Sequence, residues 1–472
     1  MRTTPPSPLM ASRWRGVLTL VLVGVAAYYG LRVSARETPD EGAPPRAAEP
    51  AQIYLASRVP DRIVLTITDD PARSMAVTWR TSQEVARGLA EIAPAGPGPD
   101  FAAAAQQVRA AREDLKTDLG EARYHSVVFQ ELTPKTKYAY RVGDGANWSE
   151  WFHFTTASTE PEPFSFVYFG DAQNDIKSQW SRVVREAYGD APKARFLLHA
   201  GDLIDHANAD LEWGEWFAAS GWLNGMIPNV VVAGNHEYAN NALGQKALSR
   251  HWRPQFTLPP NGPVEYPESV YSFDYQGVRV IVLDSNVPST PQQAFLEDRL
   301  RTNPCRWTIV TLHAPLFSSA KDRDNPKLRE AYKPLFDKHR VDLVLQGHDH
   351  TYARTGRVVP PGAAADFPPG FDIENVPEGI AAVEASVGTV YVVSVSGPKM
   401  YFVTRKPFMQ RIAENTQLYQ ILHVDGDELR YEARTAIGDL YDAFTLKKRA
   451  GQTNELIDQI PATPERRWTT IR

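Results

Sequence analysis

Two carboxylates, one amide and three imidazoles stand where apolar runs of this sequence break off. Asp171 follows Phe166-Val167-Tyr168-Phe169-Gly170, and Asp202 follows Phe196-Leu197-Leu198-His199-Ala200-Gly201. Asn235 closes Val231-Val232-Ala233-Gly234, His313 lies three residues past Val310, and the last run ends in Gly347-His348-Asp349-His350. A short apolar run that stops at Gly and hands over to a polar side chain is how an α/β sheet presents reactive groups at its carboxyl edge. One such motif is a weak signal, because Asn235 alone reads as a turn former and His236 as a capping residue. A common donor chemistry at all of these ends is a stronger one. Oxygen and imidazole donors in this number suit two hard-to-borderline divalent or trivalent ions that share one carboxylate.

Such ends need strands held in place by helices. Strands are expected at residues 164–169, 196–200, 229–233, 278–284, 307–312 and 341–346, and again at 388–396, 419–424, 428–435 and 443–446. Ile176, Trp180, Val183, Val184 and Ala187 fall on one helical face. Thr290-Pro291-Gln292-Gln293 reads as a capping box opening a helix to about Arg301, and a further helix over 326–339 is expected to kink or divide at Pro334. Alternating strands and helices predict sheets covered by helices.

The pattern before residue 156 is different. Short strands at 62–67, 75–79, 126–129 and 137–142, with Trp79 on an early strand, predict a β-sandwich. The Ala-rich stretch 101–112 is expected to be a helix or a long loop. No chemistry is evident in this part, which reads as a spacer or docking module. A linker with Glu160-Pro161-Glu162-Pro163 follows it. The Pro/Gly-rich stretch 358–379 is expected to be an irregular loop shaping a substrate mouth, and residues 449–472 a loose tail.

Taken together, the order Gly-Asp, Gly-Asp, Gly-Asn-His-Glu, Val-x-x-His, Gly-His-x-His resembles that of the calcineurin-like metallophosphoesterases. Leu132-x-Pro134-x-Thr136-x-Tyr138 with Phe152-x-Phe154-x-Thr156 resembles a fibronectin type III module, the arrangement of the purple acid phosphatase branch. The resemblance runs from about residue 53 to 446. It implies a four-layer α/β/β/α sandwich at 159–448 behind an all-β fibronectin III-like sandwich at 51–158, with Tyr138 as its tyrosine-corner residue. One metal is then implied on Asp171, Asp202 and His350, and a second on Asp202, Asn235, His313 and His348. The implied reaction is hydrolysis of small phosphate monoesters: a hydroxide between the metals attacks phosphorus in line while His236 protonates the leaving oxygen.

Two positions depart from the family pattern. The branch places a ligating Tyr three residues after the bridging Asp, where this chain has Asp205. Other members place a His two residues after the first Asp, where this chain has Gln173. The amide oxygen of Gln173 is the expected substitute ligand, the alternative being that Gln173 faces solvent and water completes the shell. Asp205 is expected either to ligate the first metal or to hydrogen-bond His236 and keep it protonated; the second is favoured because a carboxylate is shorter than Tyr. The ions expected are Fe, Zn or Mn in divalent form, and the protein should be colourless. The pair of His that the branch uses to grip phosphate is missing after His313, leaving Lys321 and Arg323 as the cations of that loop. His199 reads as a satisfied strand-end residue and His206 as a rim residue.

The motifs fix a metal centre and not a leaving group, so a phosphodiesterase or nucleotide hydrolase is the alternative within the same chemistry. A non-catalytic, metal-stabilised binding protein would need the ligands but not His236. The net charge of -5 over 472 residues, with no block of Lys and Arg, excludes a nucleic-acid backbone as partner. The single Cys305 forms no intramolecular disulfide and reads as an inert residue before a strand. Arg2, Arg13 and Arg15 precede an uncharged stretch, residues 16–31, which is either an export signal or an N-terminal membrane anchor. Val33-Ser34-Ala35 suits cleavage, and Arg32 and Arg36 suit an uncleaved anchor. Either reading puts the remainder in a periplasmic or extracellular space, on a flexible tether within residues 1–50.

Overall fold

Alternation along the strands decides where each layer sits. The computed structural model describes residues 52–358, 388–406, 408–449 and 453–468. Every residue of Val278–Val282, Trp307–Thr311, Leu343–Gln346 and Thr389–Val393 is buried, as a sheet covered on both faces demands. These strands run parallel in the centre of a 7-stranded sheet. Val280, Val282, Ile309, Leu343, Leu345, Val390 and Val392 point into one core, while Ile281, Val310, Val344 and Tyr391 point into another. The second core is closed by helices Ser289–Arg301 and Pro326–His339 through Leu296, Leu300, Tyr332 and Phe336.

The first core is shared with an 11-stranded sheet in which Phe164–Phe169, Leu197–His199 and Asn229–Val231 run parallel. Phe166 and Phe196 stack at 4.5 Å and Phe196 meets Phe273 of the facing sheet at 5.8 Å. On the opposite face, Phe169 and His199 pack on Trp180 and Trp216, which with Val183, Val184 and Ala187 belong to the helical layer Ile176–Trp180, Ser181–Asp190 and Asp210–Ser220. Tyrosine hydroxyls cross the gap between the sheets. Tyr271 Oη donates to Val231 O at 2.9 Å, and Tyr168 Oη accepts from Gln346 N at 3.1 Å. The order is therefore helix, sheet, sheet, helix, with the ligand-bearing strand ends on one edge.

The upstream strands do not stand apart. Asp61–Thr66, Met75–Thr81, Glu121–Phe129 and Ala111–Lys116 extend the large sheet, joined to it by the parallel pairing of Thr66 with Asn229. Against them lies a 4-stranded sheet, Gln106–Arg109, Leu89–Pro94, Lys137–Gly143 and Phe152–Thr155, over a core containing Trp79, Phe129, Tyr140 and Phe154. Tyr138 Oη accepts from Thr133 N at 2.9 Å, the tyrosine-corner contact.

Several local expectations need correction. Stretch 101–112 is helical only at its start: a short 3-10 helix, Pro99–Ala104, leads into strands Gln106–Arg109 and Ala111–Lys116, where edge pairing outweighs alanine's helix propensity. The helix at Ser289 has Pro288 as its N-cap and no side-chain cap; the Gln292 side chain is drawn to the backbone of Asp284 instead, at 2.8 Å to both N and O. Pro326–His339 stays one helix through Pro334. The described part of the tail is not loose: Glu455–Asp458 pairs with Leu440–Lys447, and Asp458 meets the buried Arg354 guanidinium at 2.8 Å. Cys305 is half-buried, and burial together with Asp274 pushes its thiol up to about 12, which keeps it unreactive. Residues 16–31 and nearly all of loop 358–379 lie outside the described residues.

Candidate metal centre

Each expected ligand sits just past the end of a parallel strand: Asp171 after Phe164–Phe169, Asp202 after Leu197–His199, Asn235 after Asn229–Val231, His313 after Trp307–Thr311, and His348 and His350 after Leu343–Gln346. The backbone there is forced into tight geometry. Asp202, His348 and His350 have φ of 51°, 73° and 48°, in the left-handed region that side chains other than Gly rarely occupy. The glycines beforehand serve close approach more than turning. Gly201 has φ 89°, but the Cβ of any residue at Gly347 would come within 2.5 Å of Asp171 Oδ2.

The donors converge in two groups, Asp202, His313 and His348, and Asp171, Asp202 and His350, each with ligand atoms within 4.8 Å of one another. Asp202 is common to both. Its Oδ2 lies 3.1 Å from His313 Nε2 and 3.1 Å from Gln173 Nε2, while its Oδ1 accepts from the backbone N of His236 at 2.9 Å. Asn235 joins the first group, its Oδ1 3.2 Å from His313 Nε2. Asp171 lies 3.8 Å from His350 Nε2 and accepts from His348 N through both oxygens. His313 Nδ1 donates to Ala200 O at 2.8 Å and His350 Nδ1 to Lys399 O at 3.0 Å, which aims Nε2 of both rings at the cluster.

The electrostatics fit metal. Burial pushes Asp171 well above the usual carboxylate range, with the nearby Asp202 charge adding to it. Burial would raise Asp202 too, but His313 holds it far below that range. Against burial, Asp202 brings His313 up to about 10. His348 is pushed down to about 3 by burial and by His313, and His350 to about 3 by burial. Neutral imidazoles, as at His348 and His350, are the ligating form, whereas His313, kept protonated by Asp202, must give up its proton when a metal takes that place; a buried carboxyl such as Asp171 ionises comfortably only with a cation beside it. Oxygen and nitrogen donors around a shared carboxylate therefore match a pair of metal ions.

Gln173 does not face solvent; it is fully buried against the cluster. Its Nε2, rather than the expected oxygen, faces the donors, 3.1 Å from Asp202 Oδ2 and 2.9 Å from His350 Nε2, and its Oε1 has no hydrogen-bond partner. A half-turn of the amide exchanges the two atoms. Asp205 stands outside both donor groups. Its carbonyl oxygen accepts from His236 Nδ1 at 2.6 Å and its carboxylate lies 3.3 Å from the same nitrogen. His199 is a buried strand-end residue, Nε2 3.0 Å from Asn229 Oδ1, and His206 is an exposed rim residue paired with Glu212.

Other residues of the site carry no sequence signature as plain as the ligands. Glu237, the last residue of Gly-Asn-His-Glu, accepts from the backbone N of Asp202, Leu203 and Gly234 at 2.7–2.9 Å and so ties two ligand loops together. The Lys399 ammonium lies 3.8 Å from Asp205 Oδ1. Arg323 donates to His348 O at 3.0 Å and covers the Tyr401 ring, which in turn packs on His350. Lys321 is exposed on the same loop. His350 Nδ1, which binds the carbonyl of Lys399, connects Lys399 to the Gly-His-x-His motif.

Comparison with known proteins agrees with this layout. The family model for the purple acid phosphatase N-terminal domain matches residues 60–156, and that for calcineurin-like phosphoesterases matches residues 164–352. The chain resembles the purple acid phosphatase-like metallophosphoesterases, each family match covering less than half of it. That family is one of phosphoric ester hydrolases with a dinuclear metal centre. Purple acid phosphatase 5 of Arabidopsis thaliana is 26% identical over 63% of this chain and 72% of its own length. The probable purple acid phosphatase 20 of the same plant is 30% identical over 50% of this chain, and the match spans only 56% of that relative. Among solved structures, purple acid phosphatase PPD1 from yellow lupin seeds has the same fold, with a TM-score of 0.65 at 20% identity over 83% of this chain and 74% of that one. The chain also shares its fold with PhoD, TM-score 0.59 at 14% identity over 87% of this chain and 95% of that one.

Proposed function

We propose that this protein hydrolyses small phosphate monoesters with two metal ions, Asp171, Asp202 and His350 holding one and Asp202, Asn235, His313 and His348 the other. When bound, two such ions supply Lewis-acid polarisation of the phosphoryl oxygens and lower the pKa of water. The observation that carries the reading is His236. Its Nδ1 is taken by Asp205, which leaves Nε2 for the leaving oxygen, and its ring borders a cavity of about 550 Å³ lined also by Asp205, His206, Asn208, Asn235 and Tyr238. A purely structural metal site has no use for an imidazole held in this way.

In this reading His236 delivers the proton to the leaving oxygen, and Asp205 fixes which ring nitrogen carries it outward. Lys399 and Arg323 stand in for the family's missing His pair, drawing the phosphate dianion toward the cluster and orienting it. The amide of Gln173, turned so that its oxygen faces the donors, completes the first ion's shell. Division into an N-terminal module at 51–158 and a catalytic part at 159–448 belongs to the same proposal, supported by family matches that change over between residues 156 and 164. So does export, supported by the uncharged stretch at 16–31. Among the described residues no helix is long and apolar enough to cross a membrane.

The test is a substrate panel on the metal-loaded protein. Alkyl and aryl monoesters should be turned over and matched diesters left nearly untouched. Preferential diester hydrolysis would move the reading to a phosphodiesterase of the same superfamily.

A further inference from the structure

The Asp205–His236 pair is held from behind by a residue of the helix Asp210–Ser220. Glu212, in its first turn, accepts through Oε2 from the backbone N of Asp205 at 2.8 Å and of His206 at 2.7 Å, and through Oε1 it meets His206 Nδ1 at 2.7 Å. That helix is in turn fastened to the upstream strands. Its first residue, Asp210, gives its backbone N–H to Asp118 Oδ1 at 2.9 Å and is gripped by two buried arginines. Arg62 reaches Oδ1 at 2.6 Å and Oδ2 at 3.0 Å, and Arg80 reaches Oδ2 at 3.1 Å while also pairing with Asp61. Arg62 adopts a φ of 49°, beside a register shift between Asp61 and Val64, to make this contact. Asp118 additionally lines the cavity beside His236.

Building on the proposed acid role of His236, we infer that Glu212 is a positioning residue for the Asp205–His236 pair and that the N-terminal strands hold Glu212 through Asp118, Arg62 and Arg80. The upstream module is then part of the active-site support and not a spacer. Both contacts that fix the His236 ring come from Asp205, so a shift of the 205–206 loop moves the proton donor without touching the metal ligands. Displacements of about 1 Å at such a group cost on the order of 10²-fold in rate.

The test uses Glu212→Gln and Asp118→Ala in the full-length protein, each alone and combined with His236→Ala, with metal content measured beside turnover. Both side chains reach the surface, and neither change touches the core. Glu212→Gln should lower kcat on an alkyl phosphate about tenfold, and Asp118→Ala about threefold, with less than about twofold loss on an ester of an acidic phenol, which needs little protonation. Metal content should not change, and neither substitution should lower activity further once His236 is Ala, because residues acting through one group are not additive. Equal losses on both esters, or losses that add to that of His236→Ala, would overturn the inference. If His236→Ala alone fails to separate the two esters, the acid role itself falls and the inference with it. If His236→Ala separates them and Glu212→Gln does not, only the inference falls.

Discussion

Asp205 holds Nδ1 of His236 twice, with its carbonyl oxygen at 2.6 Å and its carboxylate Oδ1 at 3.3 Å. A ligand role and a partner role were both open for this residue from its position three after Asp202. It lies outside both donor groups and against the imidazole, so the partner role is the one the geometry supports.

Asp205→Asn should accordingly keep full metal content while slowing alkyl phosphate hydrolysis about tenfold, the loss expected when a charge-assisted contact becomes a neutral one and the carbonyl contact survives. Loss of one metal equivalent would make Asp205 a ligand. The same assignment predicts no visible phenolate band in the iron-loaded wild type, since a carboxylate that faces His236 stands where the family's tyrosinate would bind.

The Lys399 ammonium lies 3.8 Å from Asp205, and its carbonyl accepts a hydrogen bond from His350 Nδ1. Lys399→Met should leave that backbone contact and the metal content intact, and should raise KM for phosphate monoesters and Ki for inorganic phosphate about tenfold, as expected for loss of one charged contact to a dianion. Unchanged phosphate inhibition would remove Lys399 from substrate binding.

The ligands were legible because each depends on a local pattern: an apolar run, a Gly that lets chains approach, then a donor. Gln173 was legible as a substitute in the right place, but which end of its amide faces the cluster depends on Asp202 and His350, about 30 and 180 residues away. Lys399, Glu212 and Arg323 were harder: Lys399 meets His350 through its own carbonyl, Glu212 binds the backbone N–H groups of Asp205 and His206, and Arg323 binds the carbonyl of His348, and such backbone contacts leave no spacing rule. The continuation of the large sheet through Thr66 and Asn229 was invisible for the same reason. Edge strands were also missed: Gln106–Arg109 and Glu455–Asp458 are half exposed and carry no apolar alternation to announce them.

His199 packs on Phe169, Trp180 and Trp216, and burial pushes its imidazole from 6.5 down to about 4. At this site the unfolded chain binds a proton between pH 6.5 and 4 that the folded chain refuses. Its contribution to stability is complete above pH 6.5 and is lost as the pH falls toward 4, a loss on the order of 3 kcal/mol. His199→Gln, whose amide can still donate to Asn229, should flatten the fall in unfolding free energy across that window. An unchanged slope would show that other groups set the acid limb.

The central claim is that two ions share Asp202, and metal stoichiometry addresses it directly. The wild type should bind two equivalents of divalent metal per chain and hydrolyse phosphate monoesters. Asp202→Ala should bind less than one equivalent, because loss of a shared carboxylate leaves two cations with nothing between them, and its hydrolysis should fall to background. An Asp202→Ala protein that retained two equivalents and near-normal turnover would contradict the account.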